Sequence, residues 1–191
     1  MTYVELIVVL CIFSVISSMV IFNYGSFQAR VNIKNLASDI ALQIVQAQKS
    51  SLSGLLPPLA QQSLVISGWK PSYGVYFNPI SNNKSFIYFT DLNNDIQYDG
   101  SNCIGVGECL NKITITKNNS ISGLNVFYQG DSIPHNLNDL TITFSRPNSG
   151  AIMRSSTTFT SSISYIQINI VSPSGATAAI KLYPSGRVQI N

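Results

Sequence analysis

The feature that most restricts this chain is a charge-free run bounded by Glu5 and Arg30. The 24 residues between them include no Asp, Glu, Lys, Arg or His, and Val, Ile, Leu and Phe dominate them. As a helix they extend about 36 Å, enough to cross a bilayer core of about 30 Å. A single carboxylate, Glu5, therefore stands at the edge of a membrane-length segment. An ionised Glu there is costly unless a cation meets it. The run holds no cation, so the nearest is an α-amine at Met1, its own or that of a neighbouring copy. A secretory signal peptide would carry a basic front and a small-residue cleavage site. This front is acidic and has neither.

Beyond the run the period remains helical. Phe27, Val31, Ile33, Leu36, Ala37, Ile40, Ala41, Ile44 and Ala47 share one side, and Arg30, Lys34, Ser38, Gln43, Gln46 and Lys49 fall mostly away from it. Ser53 and Gly54, followed by Pro57 and Pro58, mark the stop. The pattern predicts one helix from Met1 to Ser53, about 80 Å long, apolar all round in its first half and amphipathic in its second. Short β-branched or alternating runs follow. They predict strands at Leu64–Ser67, Tyr73–Asn78, Ser85–Thr90, Lys112–Thr116, Leu124–Tyr128, Asp139–Ser145, Ser164–Ser172, Ala176–Tyr183 and Arg187–Ile190, separated by Asn, Pro, Ser and Gly turns. A long helix and then only strands gives an α+β class, the helix packed on an antiparallel sheet or sandwich. The expected divisions are a hydrophobic transmembrane or filament-core helix over 1–25, its amphipathic continuation over 26–54 and a β-rich extracellular domain over 55–191.

Only 10% of the residues are charged and the net charge is +3, with no basic run. A surface solvated by neutral Ser, Thr, Asn and Gln suits an extracellular domain better than a cytosolic enzyme. Cys11 lies within the apolar run, where a thiol acts as a small hydrophobe. Cys103 and Cys109 bracket a short loop containing Gly105 and Gly107. They read as a disulfide pinning a local turn, the alternative being two free buried thiols.

Asp91, Asn93, Asp95, Gln97 and Asp99 place oxygen side chains at alternate positions, as a calcium loop does. Ile96 stands where the sixth-position Gly of such a loop belongs, and Asn102 where the twelfth-position Glu does. Glu108 is placed to complete coordination from across the cysteine loop. The alternative is a turn whose side chains bond their own backbone. A serine nucleophile would need a base and an orienter, and the one histidine, His135, sits beside Pro134 and Asn136 in an expected loop, so no enzyme is expected. Nucleic-acid binding would require the sheets to gather Lys112, Lys117, Arg146, Arg154, Lys181 and Arg187 on one face.

Thr2, Glu5 and Leu6 followed by an unbroken apolar run resemble the mature N-terminus of type IV pilins and pseudopilins. The resemblance implies a chain beginning after a leader cut by a prepilin peptidase, with a Met1 amine open to methylation. It also implies a homo-oligomeric helical filament drawn from the cytoplasmic membrane to the cell surface by an assembly ATPase and a membrane platform, with Glu5 meeting the Met1 amine of an adjacent subunit. Two positions depart from the common pattern. Ser14 and Phe22 stand where many pilins carry Gly and Pro, so only Ser14, Ser17, Ser18 and Gly25 weaken this helix. Tyr73 to Phe77, Tyr88 to Asp91 with Asn93, Asp95 and Asp99, and the closing Pro184 to Val188 look similar to H-class minor pseudopilins of type II secretion. The expected role is a surface filament for adhesion, motility or uptake. The alternatives are a minor pseudopilin or an anchored adhesin that never polymerises.

Overall fold

The computed structural model describes residues 2–65, 70–100, 103 and 107–191. Helix α1 (Tyr3–Ser53) is continuous for 51 residues, about 77 Å. The absence of any internal Pro permits this, and Ser14, Ser17 and Ser18 do not interrupt it. It stops where Gly54 turns left-handed at φ 66 and its amide donates to the Ser50 and Ser51 carbonyls, the C-cap that a residue without Cβ makes cheaply.

The inner face of α1 is narrower than its sequence stripe. Ile33, Leu36, Ala37, Ile40, Ile44 and Ala47 are buried, Val31 and Ala41 are half-buried, and Phe27 is 63% exposed. Phe27 shares its side of the helix with Lys34 and Ser38, seven and eleven residues on, which are exposed as well, so it faces away from the core.

Among the described residues ten strands form two antiparallel sheets. In the first, β1 (Ser72–Phe77), β2 (Ser85–Asp91), β3 (Cys109–Thr114), β6 (Leu140–Phe144) and β7 (Ala151–Arg154) run in the order β3-β2-β1-β6-β7. In the second, β4 (Ser120–Tyr128), β5 (His135–Leu137), β8 (Ile163–Val171), β9 (Thr177–Leu182) and β10 (Val188–Ile190) run in the order β10-β9-β8-β4-β5. β8 alternates cleanly: Ile166, Ile168 and Ile170 point inward, and Gln167 and Asn169 are only half-buried on the other face. The inner faces of both sheets and of α1 form one contiguous core. Each Ile fully buried there contributes roughly 1.5–3 kcal/mol.

At the far end of α1 three polar latches fix helix to sheet. Ser51 Oγ donates to the Phe144 carbonyl at 2.6 Å, Gln48 Nε2 to Ser149 O at 2.7 Å and Tyr73 OH to Leu55 O at 2.9 Å. At the near end Lys117 Nζ donates to Asn32 Oδ1 at 2.6 Å.

Three expectations need correction. Leu64 and Val65 are not strand: their amides bond the Gln61 and Gln62 carbonyls, extending the turn that follows the short helix α2 (Leu59–Gln62), and Ile66 and Ser67 lie outside the described residues. Pro58 caps α2, so the paired prolines that stop one helix also start another. The strand expected at Lys112–Thr116 begins instead at Cys109, where the disulfide ends. β5 and β7 are edge strands of three and four residues that the period does not show.

Candidate assembly surface and acidic loop

α1 carries a run of exposed large hydrophobic residues from Tyr3 to Tyr24. Its first half is long and apolar enough to cross a membrane, and within the chain none of that window is buried. Tyr3 is 80% and Tyr24 is 64% exposed. They stand 21 residues apart, about 32 Å along the axis, so an aromatic ring marks each edge of a bilayer-length segment.

The N-terminal residues meet one another. Glu5 N donates to Thr2 Oγ1 at 3.4 Å and Thr2 N donates to Glu5 Oε2 at 3.3 Å, a reciprocal capping box. Thr-x-x-Glu ahead of an apolar run is the sequence signal of such a box. Glu5 therefore has a use within a single chain. Leu6 is half-exposed on the next turn, its amide bonded to the Thr2 carbonyl at 3.3 Å. Met1 lies outside the described residues.

The apolar surface does not end with the bilayer-length segment. Leu42, Val45 and Leu52 are 61%, 44% and 40% exposed on the outward side of the amphipathic half. Their spacing of three and seven residues puts them on one stripe. Leu42 lies 18 residues past Tyr24, about 27 Å along the axis, well beyond a headgroup layer of about 5–8 Å. With the tyrosines at the two edges of a bilayer, these side chains would stand outside the lipid.

The expected calcium residues do come together, around Asp91 and Glu108. Asp91 is fully buried. Its Oδ1 accepts from Asn94 N at 2.7 Å and its Oδ2 from Ile96 N at 3.1 Å. Glu108, 5% exposed, reaches across as expected, but what it binds is backbone: Oε1 accepts from Leu92 N at 3.1 Å and Oε2 from Asp99 N at 3.0 Å. Asn93 Nδ2 bridges Asp95 and Asp99 at 3.2 and 2.8 Å, and Asp95 Oδ1 accepts from Gln97 N at 2.8 Å. Ile96 adopts φ 63, the left-handed conformation a Gly would supply. Among the described residues, no three His, Cys, Asp or Glu side chains are placed to hold a metal ion, and Asn102 lies outside them.

Burial raises the Glu108 carboxyl to about 7, against the lowering effect of its two amide donors, and the charges of Asp99 and Asp91 raise it further. Asp91 and Asp99 are raised as well, chiefly by desolvation. The loop also covers the outer face of the first sheet. The Tyr98 ring sits 5.0 Å from Tyr76 and 5.4 Å from Phe89, and Phe89 in turn lies over Gly74, where a Cβ would meet Ile142 O at 2.4 Å. The Cys103–Cys109 disulfide ties the loop back to β3 with 4.9 Å between Cα atoms.

The six basic residues considered for nucleic acid do not converge. Lys117 lies at the near end of the domain against Asn32, Arg146 at the far end against Gly54, and Lys112 and Arg154 on the edge strands β3 and β7. Lys181 and Arg187 cover the Tyr165 and Tyr183 rings at 4.8 and 4.0 Å, so those ring faces are already occupied. His135 lies on β5, its Nε2 2.9 Å from Asp131 Oδ2 at the surface.

Comparison of the chain with protein-family models, with curated proteins and with solved structures finds no match.

Proposed function

We propose that this chain is a structural subunit of a membrane-derived helical filament of the type IV pilin kind. It is held first in the cytoplasmic membrane and then incorporated into a surface fibre for adhesion, motility or uptake. The observation that carries the reading is the exposed apolar surface of α1, which continues to Leu42, Val45 and Leu52 beyond the bilayer-length segment. A plain anchor needs apolar surface only as far as the bilayer. A helix that packs against copies of itself needs it along its whole outward side. In the filament, neighbouring helices replace lipid, Glu5 pairs with the Met1 amine of an adjacent subunit, and the sandwich faces outward. Prepilin peptidase, an assembly ATPase and a membrane platform are the partners this reading requires.

The anchored adhesin retains one argument: the capping box gives Glu5 a purpose in a single chain. Glu5→Gln separates the capping use of Glu5 from the charge-pairing one, because Gln at that position still caps the Thr2 amide but carries no charge. The expected result is that Glu5→Gln and Glu5→Ala both insert in the membrane with helix content unchanged, and that neither appears in fibres sheared from the cell surface. Incorporation of Glu5→Gln at the wild-type level would show that Glu5 acts as a cap and remove the charge-pairing mechanism.

A further inference from the structure

Where α1 leaves its bilayer-length segment, a groove of about 870 Å³ opens between the helix and the membrane-side end of the second sheet. Phe27, Val31, Ala178 and Ile190 give it apolar walls, and Arg30 and Lys34 stand at its mouth one helical turn apart. Both cations are exposed, and among the described residues the only ion pair is between His135 and Asp131, so neither has a carboxylate partner within them. Arg30 lies six residues past Tyr24, about 9 Å along the axis, at the level of lipid phosphates. Lys34 is one turn higher, and its stem is long enough to bend back toward the same level.

We propose that this groove holds the headgroup of an anionic phospholipid. Arg30 and Lys34 donate to the phosphate, and the glycerol and first acyl carbons lie on Phe27, Val31 and Ile190. The proposal rests on α1 spanning a membrane. Three observations meet at this one place: a concave space, two cations without carboxylate partners, and continuity with the lipid-facing helix. Phe27, three residues before Arg30 and about 4.5 Å nearer the lipid-facing end, stands before the two cations in the order of acyl chain and phosphate. A free phosphate ion would use only the mouth. Lys117, held against Asn32 on the opposite side of α1, places a third cation at a similar height and favours an acidic leaflet without entering the groove.

The test uses the full chain in nanodiscs of phosphatidylcholine alone and of phosphatidylcholine and phosphatidylglycerol at seven to three, with retained lipid counted by native mass spectrometry. The expected result is one phosphatidylglycerol kept per chain, preferred over phosphatidylcholine on the order of tenfold. Added inorganic phosphate should leave it in place, and Arg30→Gln/Lys34→Gln should abolish the preference. Lys112→Gln/Arg154→Gln, which removes two charges from the edge strands, should leave it unchanged. Equal retention of the two lipids, displacement by inorganic phosphate, or a preference that survives the double variant would each overturn the proposal while leaving the span intact. A second copy cross-linked into the groove in place of lipid would overturn it in favour of a protein contact. Failure of the chain to enter either nanodisc would overturn the span itself, and with it the site.

Discussion

Glu108 offers the sharpest test of the acidic loop. Its carboxyl is raised in the folded chain to about 7, first by burial, against an ordinary value of 4.5. A group whose folded pKa lies above its unfolded one binds its proton more tightly in the native state. Its contribution to stability is therefore complete below 4.5, falls as pH rises, and is gone above about 7. At 1.36 kcal/mol per unit, the shift is worth on the order of 1–3 kcal/mol across that window. Asp91 and Asp99 are shifted in the same direction and add to the trend at its acidic end. Asp131 is lowered, chiefly by its bond to His135; its contribution is present above the ordinary 3.8 and lost below, outside the window. The perturbation is Glu108→Gln. Gln mimics the protonated carboxyl: one carbonyl serves either Leu92 or Asp99 and an NH2 stands where the acid's hydroxyl stood, so the two proteins should be closest in stability at acid pH. Urea unfolding of the full chain in micelles, followed by the near-ultraviolet signal of the tyrosines, measures both proteins between pH 5 and pH 8. Wild type is expected to lose stability as pH rises and Glu108→Gln to change much less, so the curves start close together at pH 5 and separate toward pH 8. A wild-type curve that rises over this range in chelator, or a Gln variant with the wild-type slope, refutes the reasoning. The same series with calcium tests the loop as a metal site, since a bound cation would hold Asp91 and Asp99 ionised and reverse the slope. The expected curves with calcium and with chelator superimpose, because four main-chain amides already occupy the oxygens of Asp91 and Glu108.

Two further substitutions probe backbone positions. Gly186 has φ 84, and a Cβ there would stand 2.4 Å from Ser149 O and from Gln48 Nε2, so Gly186→Ala should cost about 2 kcal/mol or more in urea unfolding and break the latch between Gln48 and Ser149. At Ile96, held at φ 63, the usual order of Ala over Gly should reverse: Ile96→Gly should exceed Ile96→Ala in stability by about 1 kcal/mol, and equal midpoints would show that the left-handed turn is not fixed there.

The readable parts of the fold are those decided locally. Gly54 ends α1 because only it turns left-handed without cost, and the Ile residues of β8 alternate because one face meets the core. Phe27 shows the limit of periodicity: an apolar residue four before Val31 reads as part of the stripe, but seven and eleven residues on from it stand the exposed Lys34 and Ser38. β5 and β7 take their strand form from pairing with β4 and β6, and their own residues carry too little pattern to announce it. In the acidic loop the reach of Glu108 was legible from the cysteine bracket. Its use was not, because the Leu92 and Asp99 amides it accepts from lie sixteen and nine residues away in sequence.

The two proposals also constrain each other energetically. If Arg30 and Lys34 hold a lipid phosphate while the chain waits in the membrane, extraction into a filament must give that contact up, about 1 kcal/mol for each cation near an anionic surface. What the filament returns must exceed this. Leu42, Val45 and Leu52 are each roughly half exposed and are useless to the membrane-bound form. Covering each against a neighbouring helix contributes up to about 1–2 kcal/mol, before the bilayer-length half of α1 exchanges lipid contacts for helix contacts at little net change. The outward stripe thus offsets the lost lipid phosphate by a small margin per subunit, and a filament repeats that margin at every copy. Polar substitution of Leu42 and Val45 should then leave the chain stable in the membrane and depleted from fibres. A loss confined to that step is what distinguishes an assembly surface from an ordinary exposed leucine.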